Sequence, residues 1–567
     1  MTLYTVTLLL TLPTAVLPFS LDIYHTNDIH ARYDERGPSE GGKCSPDKGC
    51  YGGMPRHAHY LKNKVDKTGN NLILSGGDWF TGTTYFTVYK GNLTAHYLDE
   101  LNYDAWALGN HEFDQGPELL AETVNKIKKT KTVVANMVVR GSSGLLVQKS
   151  TIKEFTNKDG TSYKVGIIGY ITPETTFLSS PGPDITFSDA VEAVKEEAAK
   201  LKEQGVDIIV AVGHAGIGTD LDICDKVDNV DVVVGGHSNT FLWTGDLPEG
   251  PVIDETIYGP YPMSRRGDKC LVVQAYAYGK FLGHLSVNFS SDGAVESYSG
   301  NPILMWGEDM EQDEDTLKNL EEYLEKVKDF ANVIVGSSES IIDGTRDNCR
   351  AKECELGNVL SDAYLESFRA NDKNVVCCLL NSGSIRASIP EGDITFEDIL
   401  TVLPFGNTID KVLGLNGTIL KEVLEHSVSS FDASGINVEG SGRYLQLSGI
   451  QVYYNLSRDL GDRVDKIFVQ NPDGKYEEMV KDKEYQCVGP NYLLNGGDGF
   501  TQLGPLDRED GAPDVDIFKS FLAKNNPLSN HPALQNIPSR TFFKTYSSAR
   551  SLQSSCLLIV VLLGLLS

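Results

Sequence analysis

The stretch Ala107-Leu108-Gly109-Asn110-His111-Glu112-Phe113-Asp114 decides how the rest of the chain is read. An apolar run from Ala105 to Leu108 reaches a glycine. An amide, an imidazole and, three residues past the imidazole, a carboxylate follow it. Taken alone, the segment also suits a capped turn ahead of a helix over Pro117 to Lys129. The balance shifts because four other apolar, strand-like runs end in a similar way.

Leu21 to Tyr24 leads into His25-Thr26-Asn27-Asp28-Ile29-His30, and Leu72 to Leu74 leads into Ser75-Gly76-Gly77-Asp78. Asp207 to Val212 leads into Gly213-His214, and Val232 to Val234 into Gly235-Gly236-His237-Ser238-Asn239. Helical patterns lie between these runs. In Ala190 to Gln204, Val191, Val194, Ala198 and Leu201 share one face, and Gly205 ends the pattern. Strands alternating with helices predict an α/β layered domain. In such sheets, ligand sites gather beyond the carboxyl ends of the strands.

The residues at those ends, Asp28, His30, Asp78, Asn110, His214 and His237, form a mixed oxygen and nitrogen set. It suits two borderline-soft divalent ions such as Zn²⁺ or Mn²⁺. Any one of these histidines on its own would more often be a satisfied core or surface residue. Asp78, alone on its turn, is the natural bridge, and Asn239 offers a further neutral oxygen. Two neighbouring cations lower the pKa of a shared water and clamp the oxygens of an in-line displacement, which is the chemistry of phosphoester hydrolysis. His111 follows a ligand position without being one, so it falls to stabilising the transition state or protonating the leaving oxygen, with Asp114 orienting it.

The chain's 567 residues exceed one ordinary core, and two domains are expected. Its formal net charge of −28 is spread along the chain and repels phosphate backbones, so nucleic acid is not an expected partner. A small anionic substrate would need local positive charge from metal ions or a few arginines. From Glu308 to Asp315 runs an acidic cluster. The helix behind it, with Leu317, Leu320, Leu324 and Val327 on one face, reads either as a linker between domains or as a helix packed inside one.

Residues 1–20 read as a secretory signal peptide cleaved near Ser20, with an N-terminal core strand as the other reading. At the other end Cys556 to Leu566 is an apolar run of eleven residues, too short to span a bilayer. Small residues and a polar spacer precede it, the pattern of a GPI anchor signal with Ser547 as the attachment residue. Secretion suits the short loops Cys44–Cys50 and Cys349–Cys354, which could each close a disulfide. No pairing is settled for Cys224, Cys270, Cys377, Cys378 and Cys487. Sequons stand at Asn92, Asn288, Asn416 and Asn455.

The motifs Asp28-Ile29-His30, Gly77-Asp78, Gly109-Asn110-His111-Glu112 and Gly235-Gly236-His237-Ser238 resemble the calcineurin-like metallophosphatase pattern. From Leu21 to the C-terminus the chain resembles the secreted 5'-nucleotidase family, its GPI-anchored animal members in particular. The resemblance implies a layered α/β metallophosphatase sandwich over 21–305 that holds two zinc ions. A linker helix over 306–332 and an α+β nucleotide-binding domain over 333–546 follow, then an anchor signal over 547–567. It places phosphate and ribose contacts at Arg350, Asn381 and Arg386, base-stacking aromatics at Phe405 and Tyr492, and a ribose-hydroxyl acceptor at Asp498. It also implies a homodimer, and a membrane reached only through the lipid. The family carries a phenylalanine where Tyr492 stands. Ser361 replaces a cysteine that pairs with the match to Cys378, so that bridge cannot form here and Cys377 and Cys378 pair differently or stay free. The expected reaction is extracellular hydrolysis of AMP to adenosine and phosphate. The alternatives are an apyrase acting on ATP and ADP, or a non-catalytic nucleotide-binding protein.

Overall fold

Every strand that ends in one of these turns lies in one of two sheets of the first structural unit. The computed structural model describes residues 19–38, 44, 49–141, 144–157, 160–253, 255–307, 309–438, 440–535 and 540–544. Most of the signal segment, together with Ser547 and the apolar tail, lies outside the described residues. Contacts divide the chain into two units, one running to Val333 and including Thr395–Phe405, the other Ile334–Ile394 with the chain from Gly406 onward.

In the first unit, one sheet runs Val295–Gly300, Phe281–Phe289, Phe19–Thr26, Asn71–Ser75, Ala105–Ala107 and Lys131–Val133 in spatial order. Its last four strands are parallel. The other sheet runs Met263–Arg265, Cys270–Val273, Val232–Val234, Ile208–His214, Ser162–Ile171 and Ser150–Thr156, with its four central strands parallel. The strand Ile208–His214 shows why the sheets face each other. Ile208, Val210 and Val212 join Leu21, Ile23, Leu72 and Leu74 in the core between the sheets. Ile209 and Ala211 point the other way, against Val194, Ala198 and Leu201 of the helix Ala190–Glu203. A strand buried on both faces has to be apolar throughout, which is why it reads as a continuous run.

On the outer side of the first sheet, Leu320 and Val327 of the helix Glu314–Ala331 are buried with Met54, Ala58 and Leu98. The apolar stripe of that helix therefore belongs to this unit's core. Helix, sheet, sheet and helix layers make an α/β sandwich, as expected. The helix after Asp114 is shorter than its pattern suggests, Gly116–Val124. Phe19 is fully buried against Phe155, Tyr163 and Phe289, so the first core strand already begins inside the segment read as a signal peptide.

The second unit mixes helices with a five-stranded sheet, Leu445–Ser448, Val375–Asn381, Gln486–Pro490, Ile409–Val412 and Arg508–Glu509. A four-stranded sheet, Tyr476–Glu478, Val464–Gln470, Ile450–Tyr454 and Thr541–Phe543, adds to it. Leu420, Val423 and Leu424 of the helix Gly417–Ser427 share a core with Leu379, Leu445 and Val452.

Disulfides join Cys44 to Cys50 and Cys349 to Cys354. Two more, Cys224–Cys270 and Cys377–Cys487, settle pairings left open above. Cys377 and Cys487 face each other on adjacent parallel strands. Cys378 stays a buried thiol, and Ser361 donates its hydroxyl to the Gly357 carbonyl at 2.7 Å.

Candidate metal centre

The turns that close the parallel strands meet in one place. Asp28 and His30 follow Phe19–Thr26, Asp78 follows Asn71–Ser75, and Asn110 follows Ala105–Ala107. His214 closes Ile208–His214, and His237 follows Val232–Val234. Asp28, His30, Asp78, His237 and Asn239 all have φ between 50° and 77°. Non-glycine residues rarely adopt this left-handed backbone, and strain of this kind gathers at functional sites. The turns also abut closely. A Cβ on Gly77 would lie 2.6 Å from the Gly109 nitrogen, and one on Gly109 would lie 2.1 Å from Asp78 Oδ1, so only glycine fits either place.

Asp78 is central. Its Oδ2 lies 2.9 Å from His214 Nε2, 3.8 Å from His30 Nε2 and 3.9 Å from His111 Nε2. Its Oδ1 accepts from the His111 amide at 3.0 Å. Asp28 Oδ1 lies 3.9 Å from His214 Nε2 and 4.0 Å from His30 Nε2. Its Oδ2 accepts from Asn27 Nδ2 and the His237 amide. His214 Nδ1 bonds the Gly76 carbonyl at 2.6 Å, which fixes the tautomer and turns Nε2 toward the two carboxylates. His30 Nδ1 is held likewise by the Phe80 and Thr81 carbonyls. Asn110 Oδ1 lies 2.9 Å from His237 Nδ1.

Two trios result, His30–Asp78–His111 and Asp78–His214–His237, each with its ligand atoms within 4.8 Å of one another and both sharing Asp78. Imidazoles aimed at buried carboxylates are the donor set that divalent ions of the zinc type prefer. The residues fit such ions. The electrostatics agree. Burial pushes the Asp78 carboxyl up, but His214, His111 and His30 outweigh it and hold it well below the usual carboxylate range. Burial raises Asp28.

His111 stands in the short 3₁₀ turn Asn110–Phe113. Its Nδ1 lies 2.8 Å from Asp114 Oδ2, the pair expected from the sequence. Asp114 is itself fixed, accepting from Thr81 Oγ1 and Ser179 Oγ, each at 2.8 Å. Glu112, given no role above, is fully buried. Its Oε2 accepts from the amides of Asp78 and Gly109, and its Oε1 from those of Trp79 and Phe80. One carboxylate thus ties the turn carrying Asp78 to the turn carrying Asn110. Nothing local in the sequence marks that role.

In the second unit, Asn381 Nδ2 donates to Asp498 Oδ2 at 2.6 Å, and Tyr492 Oη donates to Asp498 Oδ1 at 3.1 Å. Ser384 Oγ donates to Asn381 Oδ1, and His426 Nε2 lies 2.9 Å from the Asp498 carbonyl; the sequence had singled out neither. Arg350 Nη1 donates to the Gly440 carbonyl, and Arg386 is half-buried beyond the Ser382–Ser384 turn. Phe405 groups instead with the first unit, where its ring stacks on His111 with centroids 5.4 Å apart. Of the sequon asparagines, Asn92 is exposed and Asn288 half-buried. Asn416 caps the helix Gly417–Ser427, and Asn455 is 7 % exposed.

A two-sheet sandwich with histidine, aspartate and asparagine turns at its strand ends is that of a calcineurin-like phosphoesterase, and the family model so described matches residues 21–241. The model for the 5'-nucleotidase C-terminal domain matches residues 333–505. The chain is 38 % identical to a 5'-nucleotidase of Bos taurus, over 92 % of this chain and 91 % of that one. It is 38 % identical to a 5'-nucleotidase of Homo sapiens, over 93 % of each. Among solved structures, a 5'-nucleotidase precursor from Thermus thermophilus superposes with a TM-score of 0.80 at 34 % identity, covering 89 % of this chain and 96 % of the other. The chain belongs to the 5'-nucleotidase family. It is a metal-dependent phosphoesterase whose substrates are nucleotides.

Proposed function

We propose that this protein hydrolyses nucleoside 5'-monophosphates, AMP foremost, to nucleoside and phosphate at the cluster centred on Asp78. The observation that carries this reading is the pair of His/Asp trios sharing Asp78, beside the His111–Asp114 pair. Asp28, His30, Asp78, Asn110, His214 and His237 would hold two divalent ions, Zn²⁺ by donor type, with Asp78 between them. When bound, such ions supply positive charge to the phosphoryl oxygens and acidify a water that attacks phosphorus.

The protein's own part is placement and proton handling. Asp114 holds His111 by Nδ1 and leaves Nε2, 3.9 Å from Asp78 Oδ2, facing the cluster. There the imidazole donates to a phosphoryl oxygen or gives its proton to the departing 5' oxygen. For this reason we assign His111 to catalysis although it lies close enough to count among the ligands. Arg350, Asn381, Arg386 and Asp498 are the residues we assign to the phosphate and ribose, and Phe405 and Tyr492 are the aromatics we assign to the base.

We further assign the protein to the cell surface, secreted through an N-terminal signal that ends before the core strand Phe19–Thr26, GPI-anchored at Ser547 and dimeric. Four disulfides support an oxidising compartment. Asn92, Asn288 and Asn416 are the glycan positions. Asn455 takes one only if modified before its turn closes.

The test of substrate class is release of phosphate from 5'-AMP, 3'-AMP and p-nitrophenyl phosphate. A strong preference for 5'-AMP is expected. Equal rates on all three would reduce the protein to a non-selective phosphatase.

A further inference from the structure

Three buried polar residues, none of them a proposed ligand, hold the turns carrying His214 and His237. Asp220, fully buried on the helix Gly216–Lys226, accepts from Tyr170 Oη and from Gln274 Nε2, each at 2.6 Å. Gln274, also fully buried, directs the rest of its amide to the turn after Val232–Val234. Its Nε2 donates to the Gly236 carbonyl at 3.2 Å, and its Oε1 accepts from the Thr240 amide at 3.0 Å and from Ser238 Oγ at 3.3 Å. Ser238 Oγ in turn accepts from the Ile217 amide at 3.0 Å. Between these anchored points, His237 and Asn239 keep φ of 77° and 52°. A backbone in that region persists only where its surroundings over-determine it.

The trio also fills the space that two glycines leave. A Cβ on Gly235 would lie 1.8 Å from Asp220 Oδ2, and one on Gly213, next to His214, would lie 2.4 Å from the Tyr170 ring. Gly213 and Gly235 therefore let one hydrogen-bonded group press against both turns at once. The three residues come from separate places in the chain: the strand Ser162–Ile171, the helix Gly216–Lys226 and the first position past the strand Cys270–Val273.

We propose that Tyr170, Asp220 and Gln274 are positioning residues that set the places of His214 and His237, and with them the affinity of the divalent ion those two histidines serve. The inference rests on the two-ion reading above.

Zn²⁺ titration of the metal-free protein, by calorimetry or a competing chelator, tests this with Gln274→Met and the milder Tyr170→Phe. Loss of outer support of this kind lowers metal affinity by about 10- to 100-fold. Gln274→Met is expected to weaken one of two Zn²⁺ sites by that factor and Tyr170→Phe to weaken the same site less. Turnover of AMP should return at saturating Zn²⁺ with KM unchanged. If Gln274→Met does not fold, Tyr170→Phe decides. Unchanged affinity at both sites in a folded variant would overturn the inference. So would a turnover loss that excess Zn²⁺ does not restore, which marks a merely structural role. Failure of the parent protein to bind two Zn²⁺ would instead overturn the two-ion reading itself.

Discussion

His111 is tied at one ring nitrogen and faces the metal cluster with the other. On the proposed assignment, replacing it removes a proton donor and spares the Asp78–His214 contact. His111→Ala is therefore expected to lower kcat by about 100- to 10,000-fold, the usual span for a positioned acid or base, while zinc content stays at the parent level. Steady-state rates with metal analysis check this, and parent-level turnover would remove His111 from the chemistry. His214 carries a pH signature. Burial would strip its proton, but Asp78 and Asp28 outweigh that and raise its pKa from 6.5 to about 10 in the metal-free protein. A raised folded-state pKa means stability that is present in full below 6.5 and lost as pH rises through 10. Metal-free protein should thus lose thermal stability across that window. Zn²⁺-loaded protein, whose His214 has given up the proton, should not lose it there. Melting curves from about pH 6 to 10 compare the two, and parallel profiles would contradict the assignment of His214 as a ligand.

At the level of elements, the turns depend on Glu112. Glu112→Gln keeps the shape but puts an amide donor among the four amides the carboxylate now accepts. Leaving buried donors unmatched costs about 1–3 kcal/mol, more for a charged acceptor. Chemical denaturation of the metal-free variant should show a loss of at least that size, and no loss would mean the turns hold without it. Phe19 makes a second prediction. Removing a buried phenylalanine costs about 3–5 kcal/mol, so a mature chain that keeps its inner core starts at or before Phe19, not after Ser20. N-terminal sequencing of secreted protein decides, and a chain beginning at Leu21 would contradict the argument.

These elements also show what a sequence carries. Ile208–His214 was legible because both faces are buried and every residue is apolar up to the glycine. Ser150–Thr156, half-buried or exposed at a sheet edge except at Phe155, and Phe281–Phe289, alternating buried with half-buried positions, gave no continuous run and were not read as strands. The proposed ligands were legible because each sits at or just past the end of such a run. Glu112 was visible but its work was not, since its partners include backbone amides more than thirty residues away in the chain. Tyr170, Asp220 and Gln274 left no trace, because what joins them is a meeting of three elements in space.

At the scale of the molecule, a chain of net charge −28 handles an anionic substrate. Like charge over the surface repels a phosphate monoester, so attraction has to be supplied locally, and cations at the Asp78 cluster would supply it. A chain stripped of its metal should therefore lose nucleotide hydrolysis altogether, rather than merely slow. The proposed reaction is hydrolysis of a nucleoside monophosphate at the Asp78 cluster, whose residues would hold two divalent ions. The most direct measurement is phosphate release from AMP, ADP and ATP side by side, before chelation, after it, and after Zn²⁺ is returned. Fast release from AMP alone, abolished by the chelator and restored by Zn²⁺, is the predicted result. Release mainly from ADP and ATP, or release that survives chelation, would contradict it.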